Sequence, residues 1–327
     1  MIYTDLKKKL RDIIRPVYYC VKDTIDYKSN QIIKKNAELN NKYLGEKCFL
    51  LMSGESINII DISKLKGQFT FSVNWAFIKK DIMDLPLTFY LGTMFHERFF
   101  LKPEIGKIYW PEGWTPAKAH KIIKEKLIED GTRIFFKADD FRFILRKYKY
   151  DVNKTNIHFI KTKGEFTSIE IPEICLNKRF SIFEDGGGSQ YTALIMLINM
   201  GFKEIYLCGA GYTYNPFYYL HFYDNFTFPI TLGKAKAEIE AQKAIEDRNK
   251  RIDSRLEYYG LLKKGDLFRG IYIKRVNEDF PLWKRHSLLN EYAKSQGVKI
   301  INITPEGFQS PIYEKVTWDY VKQHILK

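Results

Sequence analysis

The stretch from Phe180 to Tyr214 (FSIFEDGGGSQYTALIMLINMGFKEIYLCGAGYTY) limits the possible folds more than any other part of the chain. Tyr191 to Met200 is apolar at helical spacing, so a helix here must be buried. Gly201 ends it, and Lys203 and Glu204 lead into Ile205, Tyr206 and Leu207, a short β-rich run that reads as a strand buried on both faces. A buried helix feeding a buried strand belongs to an α/β layer architecture. Gly186, Gly187 and Gly188 allow a close backbone approach, and Ser189 occupies the expected N-cap position of the helix. Gly209 and Gly211 open the loop after the strand. Ligands of open α/β sheets bind beyond the carboxyl ends of the strands, and helix N-termini favour anions. The two glycine loops therefore suit a phosphate-bearing ligand, and they suit plain tight turns about equally well.

The same punctuation recurs along the chain. Lys47 to Met52 (KCFLLM) reads as a first core strand ending at Ser53-Gly54-Glu55-Ser56, where the serines can cap a helix or meet a phosphate. Ile57 to Leu65 is helix-like. Phe69 to Val73 is a second strand ending at Asn74-Trp75, and Leu87 to Leu91 a third ending at Gly92-Thr93. Near the far end a helix over His286 to Ser295 precedes a strand over Lys299 to Ile303, which ends at Thr304-Pro305-Glu306-Gly307. Such alternation predicts a mostly parallel sheet with flanking helices. Residues 101–118, rich in Pro and Gly, read as loop. Arg133 to Tyr150 mixes basic and aromatic residues; without an RNA-binding signature, a helix with a packed aromatic face is the favoured reading over a nucleic-acid surface. Residues 215–285 begin with an aromatic cluster (NPFYYLHFYDNFTF) and continue into a charged helical pattern over 234–259, which reads as a lid or insertion.

Residues 1–43 differ from the remainder. Ile2, Leu6, Leu10, Ile13, Ile14, Val17, Val21 and Ile25 recur at helical spacing, and ten Lys/Arg stand against five Asp/Glu. A basic amphipathic helix fits either an anionic membrane surface or a protein face, and Pro16 interrupts the pattern. The expected organisation is this segment followed by one domain over 44–327. The formal net charge of +14 points to anionic partners. Its basic residues are spread along the chain, which argues against nucleic acid. Cys20, Cys48, Cys175 and Cys208 are scattered without a CxxC pair, consistent with a reducing compartment and no zinc site. No apolar run approaches the ~20 residues of a membrane span, and no apolar leader core follows Lys7, Lys8 and Lys9. The expected location is cytoplasmic, peripheral on the inner membrane.

A strand ending in a small-residue SGES turn, a strand ending in Asn74, the Ser189 turn and helix, GFKEIYLCG over 201–209 and KIINITPEG over 299–307 follow one another in order. Over about residues 45–310 this resembles the bacterial lipooligosaccharide sialyltransferases of glycosyltransferase family 42 and the related MptE-like proteins (domain of unknown function 115) of glycan gene clusters. The resemblance implies a modified Rossmann-type sheet, a CMP-activated nonulosonic acid or Kdo as donor substrate, a lid that orders on donor binding, a homo-oligomer, and neither metal nor other cofactor. Ser53, Gly54 and Ser56 match the family's GNGPS turn near the donor, with Ser53 for Asn and Glu55 for Pro. Asn74 matches a nucleotide contact, and Gly188-Ser189 falls on the family's TSG turn. Gly209-Ala210-Gly211 replaces GxD, so an acidic group is missing. Tyr212 and Tyr214 flank a phosphate-binding tyrosine, and Tyr218 or Tyr219 supplies a second.

In such enzymes transfer passes through an oxocarbenium-like species and needs a base for the acceptor hydroxyl. Histidine suits that role near neutral pH. The candidates are His221, with Asp224 close by, and His286, of which His221 is preferred. The expected activity is metal-independent, inverting transfer of an acidic sugar onto a bacterial surface glycan or glycolipid. Two alternatives remain open: an ATP- and Mg²⁺-dependent diphosphokinase, as among the MptE-like proteins, with Asp139, Asp140 and Asp185 as candidate carboxylates, and a non-enzymatic, membrane-peripheral glycan-assembly factor.

Overall fold

The computed structural model describes residues 33–93, 114–148, 156–160, 162–163, 183–184, 188–210, 285–303 and 312–326. Its centre is one sheet built from β1 (Lys47–Leu51), β2 (Phe69–Val73), β3 (Phe89–Leu91), β4 (Arg133–Lys137), β5 (Ile157–Ile160), β8 (Glu204–Cys208), β9 (Lys299–Asn302) and β10 (Glu314–Lys315). All neighbours pair in parallel, in the order β10-β9-β8-β1-β2-β3-β4-β5. Two short strands, β6 (Thr162–Lys163) and β7 (Phe183–Glu184), pair separately. The longer helices among the described residues are α1 (Pro116–Ile122, continuing as a wider turn to Ile128), α2 (Phe141–Tyr148), α3 (Gly188–Asn199), α4 (residues 285–295) and α5 (Trp318–His324). The expected Rossmann-like α/β class is therefore present. Residues 215–284 of the expected lid and the helix proposed within residues 1–32 lie outside the described residues, while Arg285 already belongs to α4.

Apart from the exposed edge strand β10, the strands of this sheet bury both faces, as their unbroken apolar runs require. Cys48, Leu50, Ile205 and Leu207 point to one face, which packs against α3 and α4 through Leu194, Leu197, Leu289 and Ala293. Phe49, Leu51, Tyr206 and Cys208 alternate to the other, under Ile57, Ile62, Ile123 and Val321. The period of two along each strand thus splits one sheet into two cores. α3 is apolar all round and is accordingly covered all round, with Ala193, Leu194, Met196 and Leu197 fully buried.

Two sequence readings change here. Arg133–Lys137 is a core strand, not part of a helix: Ile134, Phe135 and Phe136 are buried on alternating faces, and α2 starts only after a turn at Ala138–Asp140. The loop read over 101–118 ends earlier, because Thr115 accepts a hydrogen bond from the Lys118 backbone N–H and Pro116 starts α1. Residues 33–43, counted with the N-terminal segment, pack into the domain: Leu39 is fully buried and Tyr43 stacks on Phe202 at 4.9 Å. The backbone N–H groups of Asn41, Tyr43 and Gly45 satisfy the carbonyls of Asn199, Met200 and Gly201 at the end of α3.

Candidate functional site

The sheet has a topological switch point between β1 and β8. From β1 the chain adds β2 to β5 on one side; it then returns to place β8, β9 and β10 on the other. α3, which leads into β8, covers one face, while the turns after β1 cover the opposite face. In open α/β sheets ligands bind beyond the carboxyl ends of the strands at such a switch point, which makes the β1–β8 edge the candidate site.

At the β1–β8 end the chains are in intimate contact. The Met52 N–H donates to the Cys208 carbonyl at 2.9 Å. Gly209 has φ +76°, and a Cβ there would lie 2.7 Å from the Met52 carbonyl oxygen, 3.0 Å from Ile57 Cβ and 3.2 Å from the Gly54 carbonyl oxygen. Glycine is required at this position on both counts. Gly54 itself adopts φ −64° and ψ 147°, a conformation open to any residue, so the need for glycine at this contact falls on Gly209. The Ser56 hydroxyl oxygen is buried and has no hydrogen-bond partner among the described residues. Ser53, three residues earlier, is half-buried.

One strand further, Asn74 gathers three elements. It is one of two non-glycine residues with positive φ among those described, at +47°. The buried Tyr90 hydroxyl donates to its backbone carbonyl at 2.9 Å. Burial holds the Tyr90 pKa well above the ordinary tyrosine value, so the phenol keeps its proton. Asn74 Oδ1 accepts from the Thr93 backbone N–H at 3.0 Å and from Thr93 Oγ1 at 2.9 Å. Asn74 Nδ2 donates to Ser189 Oγ at 2.6 Å. Two residues selected from the sequence, 115 positions apart, are thus in direct contact at the carboxyl edge of the sheet. Adjacent strands lie about 4.8 Å apart, so the Asn74 and Gly209 strand ends span about 10 Å across β1.

α3 begins at Gly188, so Ser189 sits inside its first turn and not at the N-cap; its hydroxyl is engaged by Asn74. Thr93 was not selected from the sequence, although its place after a strand end, like that of Asn74, is the signal that could have marked it. His286 opens α4. Its ring meets Tyr191 edge-on at 5.5 Å between centroids, and its Nδ1 lies 2.5 Å from the Tyr313 hydroxyl. It is 1% exposed, and burial, with Arg285 adding to it, lowers its pKa to about 3. The imidazole is therefore neutral at pH 7. His221, Tyr212, Tyr214, Tyr218 and Tyr219 lie outside the described residues, as does Asp185. Among the described residues no three His, Cys, Asp or Glu side chains gather where they could hold a metal ion. No described helix is long and apolar enough to cross a membrane. No protein-family model matches the chain, and no curated protein matches it.

Proposed function

We propose that the chain is a metal-independent, inverting glycosyltransferase that moves an acidic sugar from CMP to a bacterial surface glycan or glycolipid. The observation that carries this reading is the contact between Asn74 and Ser189 at the carboxyl edge of a parallel sheet, beside its switch point. The resemblance implies a nucleotide contact at Asn74 and sets Ser189 on the family's TSG turn. Ser56, with a buried hydroxyl oxygen that lacks a partner among the described residues, follows β1 at the same edge. The net charge of +14 suits an anionic donor and an anionic acceptor.

In this reading the bond between the anomeric carbon and the phosphate oxygen of the donor breaks, and CMP leaves with the electron pair. An acceptor hydroxyl oxygen bonds to that carbon and gives its proton to a base. Hydroxyls and backbone N–H groups at the strand ends stabilise the departing phosphate. We assign the base to His221 in preference to His286, which is buried and paired with Tyr313. The basic N-terminal segment holds the enzyme peripherally at an anionic membrane face.

The test is a thermal-shift screen with CMP, CDP, UDP, GDP and ATP, each with and without Mg²⁺. A ligand that binds only the folded state stabilises it by about 2.7 kcal/mol at a hundredfold excess over Kd. The expected result is a shift selective for CMP and independent of metal. A shift with ATP and Mg²⁺ alone would replace the reading with a diphosphokinase, and no shift with any nucleotide would replace it with an assembly factor.

A further inference from the structure

Asn74 is the junction of a chain of three polar groups, and the polarity of that chain has a consequence for the ligand. The two ends of a side-chain amide have nearly the same shape, so its orientation is set by the partners. The Thr93 and Ser189 hydroxyls can rotate to donate or accept and so impose no direction. The Thr93 backbone N–H can only donate, and it meets Asn74 Oδ1 at 3.0 Å. Reversing the amide would turn an NH₂ group against that N–H inside a part-buried cluster and leave a donor unpaired, which is costly. Nδ2 is therefore the end that faces Ser189, at 2.6 Å. Because Ser189 Oγ accepts there, its own proton is left for another partner, and among the described residues it has none.

The geometry points to a polarity relay in which Thr93 is a positioning residue: it orients the Asn74 amide, which in turn fixes the Ser189 hydroxyl as a donor to the bound ligand. This rests on the reading of the edge as a nucleotide site, and it adds a selection rule. The group that meets Ser189 is an acceptor without a proton of its own, such as a phosphate oxygen. The Thr93 hydroxyl, 2.9 Å from Oδ1, holds the amide in place, while the N–H of the same residue sets its direction. The Tyr90 hydroxyl fixes the Asn74 backbone from the other side.

The experiment is a double-mutant cycle read by CMP titration of the full-length protein, with folding of each variant checked by circular dichroism. Ser189→Ala is expected to weaken CMP binding by roughly tenfold to a hundredfold, the range for losing a hydrogen bond to a charged group. Asn74→Asp places a carboxylate oxygen where Nδ2 stood, so Ser189 donates to it and its proton is withdrawn from the ligand. In the Asn74→Asp background, Ser189→Ala should then cost less than roughly threefold more, whereas in the Asn74→Ala background it should keep most of its effect. Thr93→Val, which keeps the N–H and loses the hydroxyl, should weaken binding roughly threefold to tenfold, and Thr93→Ser should restore it. A merely structural role for the cluster would not make the Ser189→Ala effect depend on whether residue 74 is Asp or Ala. The relay is overturned if Ser189→Ala costs as much in the Asn74→Asp background as in the wild type, or if Thr93→Val binds CMP like the wild type. If the wild type itself binds no CMP, the site reading fails and the relay falls with it; if it binds CMP and the losses simply add, the relay alone fails.

Discussion

Replacing Asn74 tests whether the candidate site is held by side-chain chemistry or by backbone shape. The Asn74 side chain takes part in three hydrogen bonds, two with Thr93 and one with Ser189. At a net ~1 kcal/mol each, Asn74→Ala should cost about 3 kcal/mol, some of it from the Thr93 N–H left without a partner. The residue also sits at φ +47°, which costs an alanine about 1 kcal/mol or more and costs glycine nothing. Glycine, however, gives up about 0.5–1 kcal/mol through its freer unfolded chain. Asn74→Gly should therefore be no less stable than Asn74→Ala, with both well below the wild type. Asn41 is the internal control. It too has positive φ, at 55°, but it holds the far end of α3 through its backbone N–H to the Asn199 carbonyl, a bond that any residue can make. Asn41→Gly should change stability by less than about 1 kcal/mol. Urea unfolding followed by circular dichroism would measure all three, with the m-value checked for constancy. Equal costs for Asn41→Gly and Asn74→Gly would refute the reasoning, since they would show that the Asn74 side-chain bonds contribute nothing.

Two further outcomes are expected. Gly209→Ala should destabilise by about 3 kcal/mol or more, because a Cβ 2.7 Å from the Met52 carbonyl oxygen adds a backbone clash to an unfavourable φ; Gly297→Ala, with nothing within 4 Å and the same sign of φ, should cost only about 1 kcal/mol in the same unfolding assay. Acid should destabilise the fold through His158 and His286, whose pKa values are both lowered by burial to about 3, His158 also feeling Lys35, Arg133 and Lys42. The unfolded chain takes up these protons first, so stability is full above about pH 6.5 and falls between about pH 6.5 and 3, by up to about 1.4 kcal/mol per pH unit for each histidine. Unfolding free energies measured from pH 7 to pH 5 should show a shallower slope in His158→Gln and in His286→Gln; an unchanged slope in both would contradict the assignment.

The central strands were legible because burial on both faces leaves short apolar runs cut off by Gly, Asn or Ser. Phe69–Val73 matches its expected bounds, and Glu204–Cys208 extends the expected Ile205–Leu207 by a residue at each end. Where long-range packing decides, the sequence is mute. β5 holds His158 in its middle, a residue that no strand pattern recommends. It is accepted there because Asn36, 122 positions away, meets its Nδ1 at 3.0 Å and also donates to the Phe159 carbonyl, while Phe135 stacks on the ring. The basic and aromatic run after Arg133 misled for a related reason. Its charges flank the strand at Arg133 and Lys137, and charges of that kind are equally at home on one face of a helix.

The site was legible in part, and the split has a physical cause. Asn74, Ser189 and Gly209 stand out as small, polar or flexible residues at strand and helix ends, which is where parallel sheets expose functional groups. Their convergence depends on strand order: α3 must fold back over β2 for Ser189 to reach Asn74. Thr93 escaped because its contribution is half backbone, and a backbone N–H has no signature in a sequence. Yet that N–H can only donate and it meets the Asn74 amide directly, so it governs the two residues that did stand out. The recognisable side chains fix where a ligand would sit, and the unremarkable amide between strand and loop fixes which way their hydrogens point.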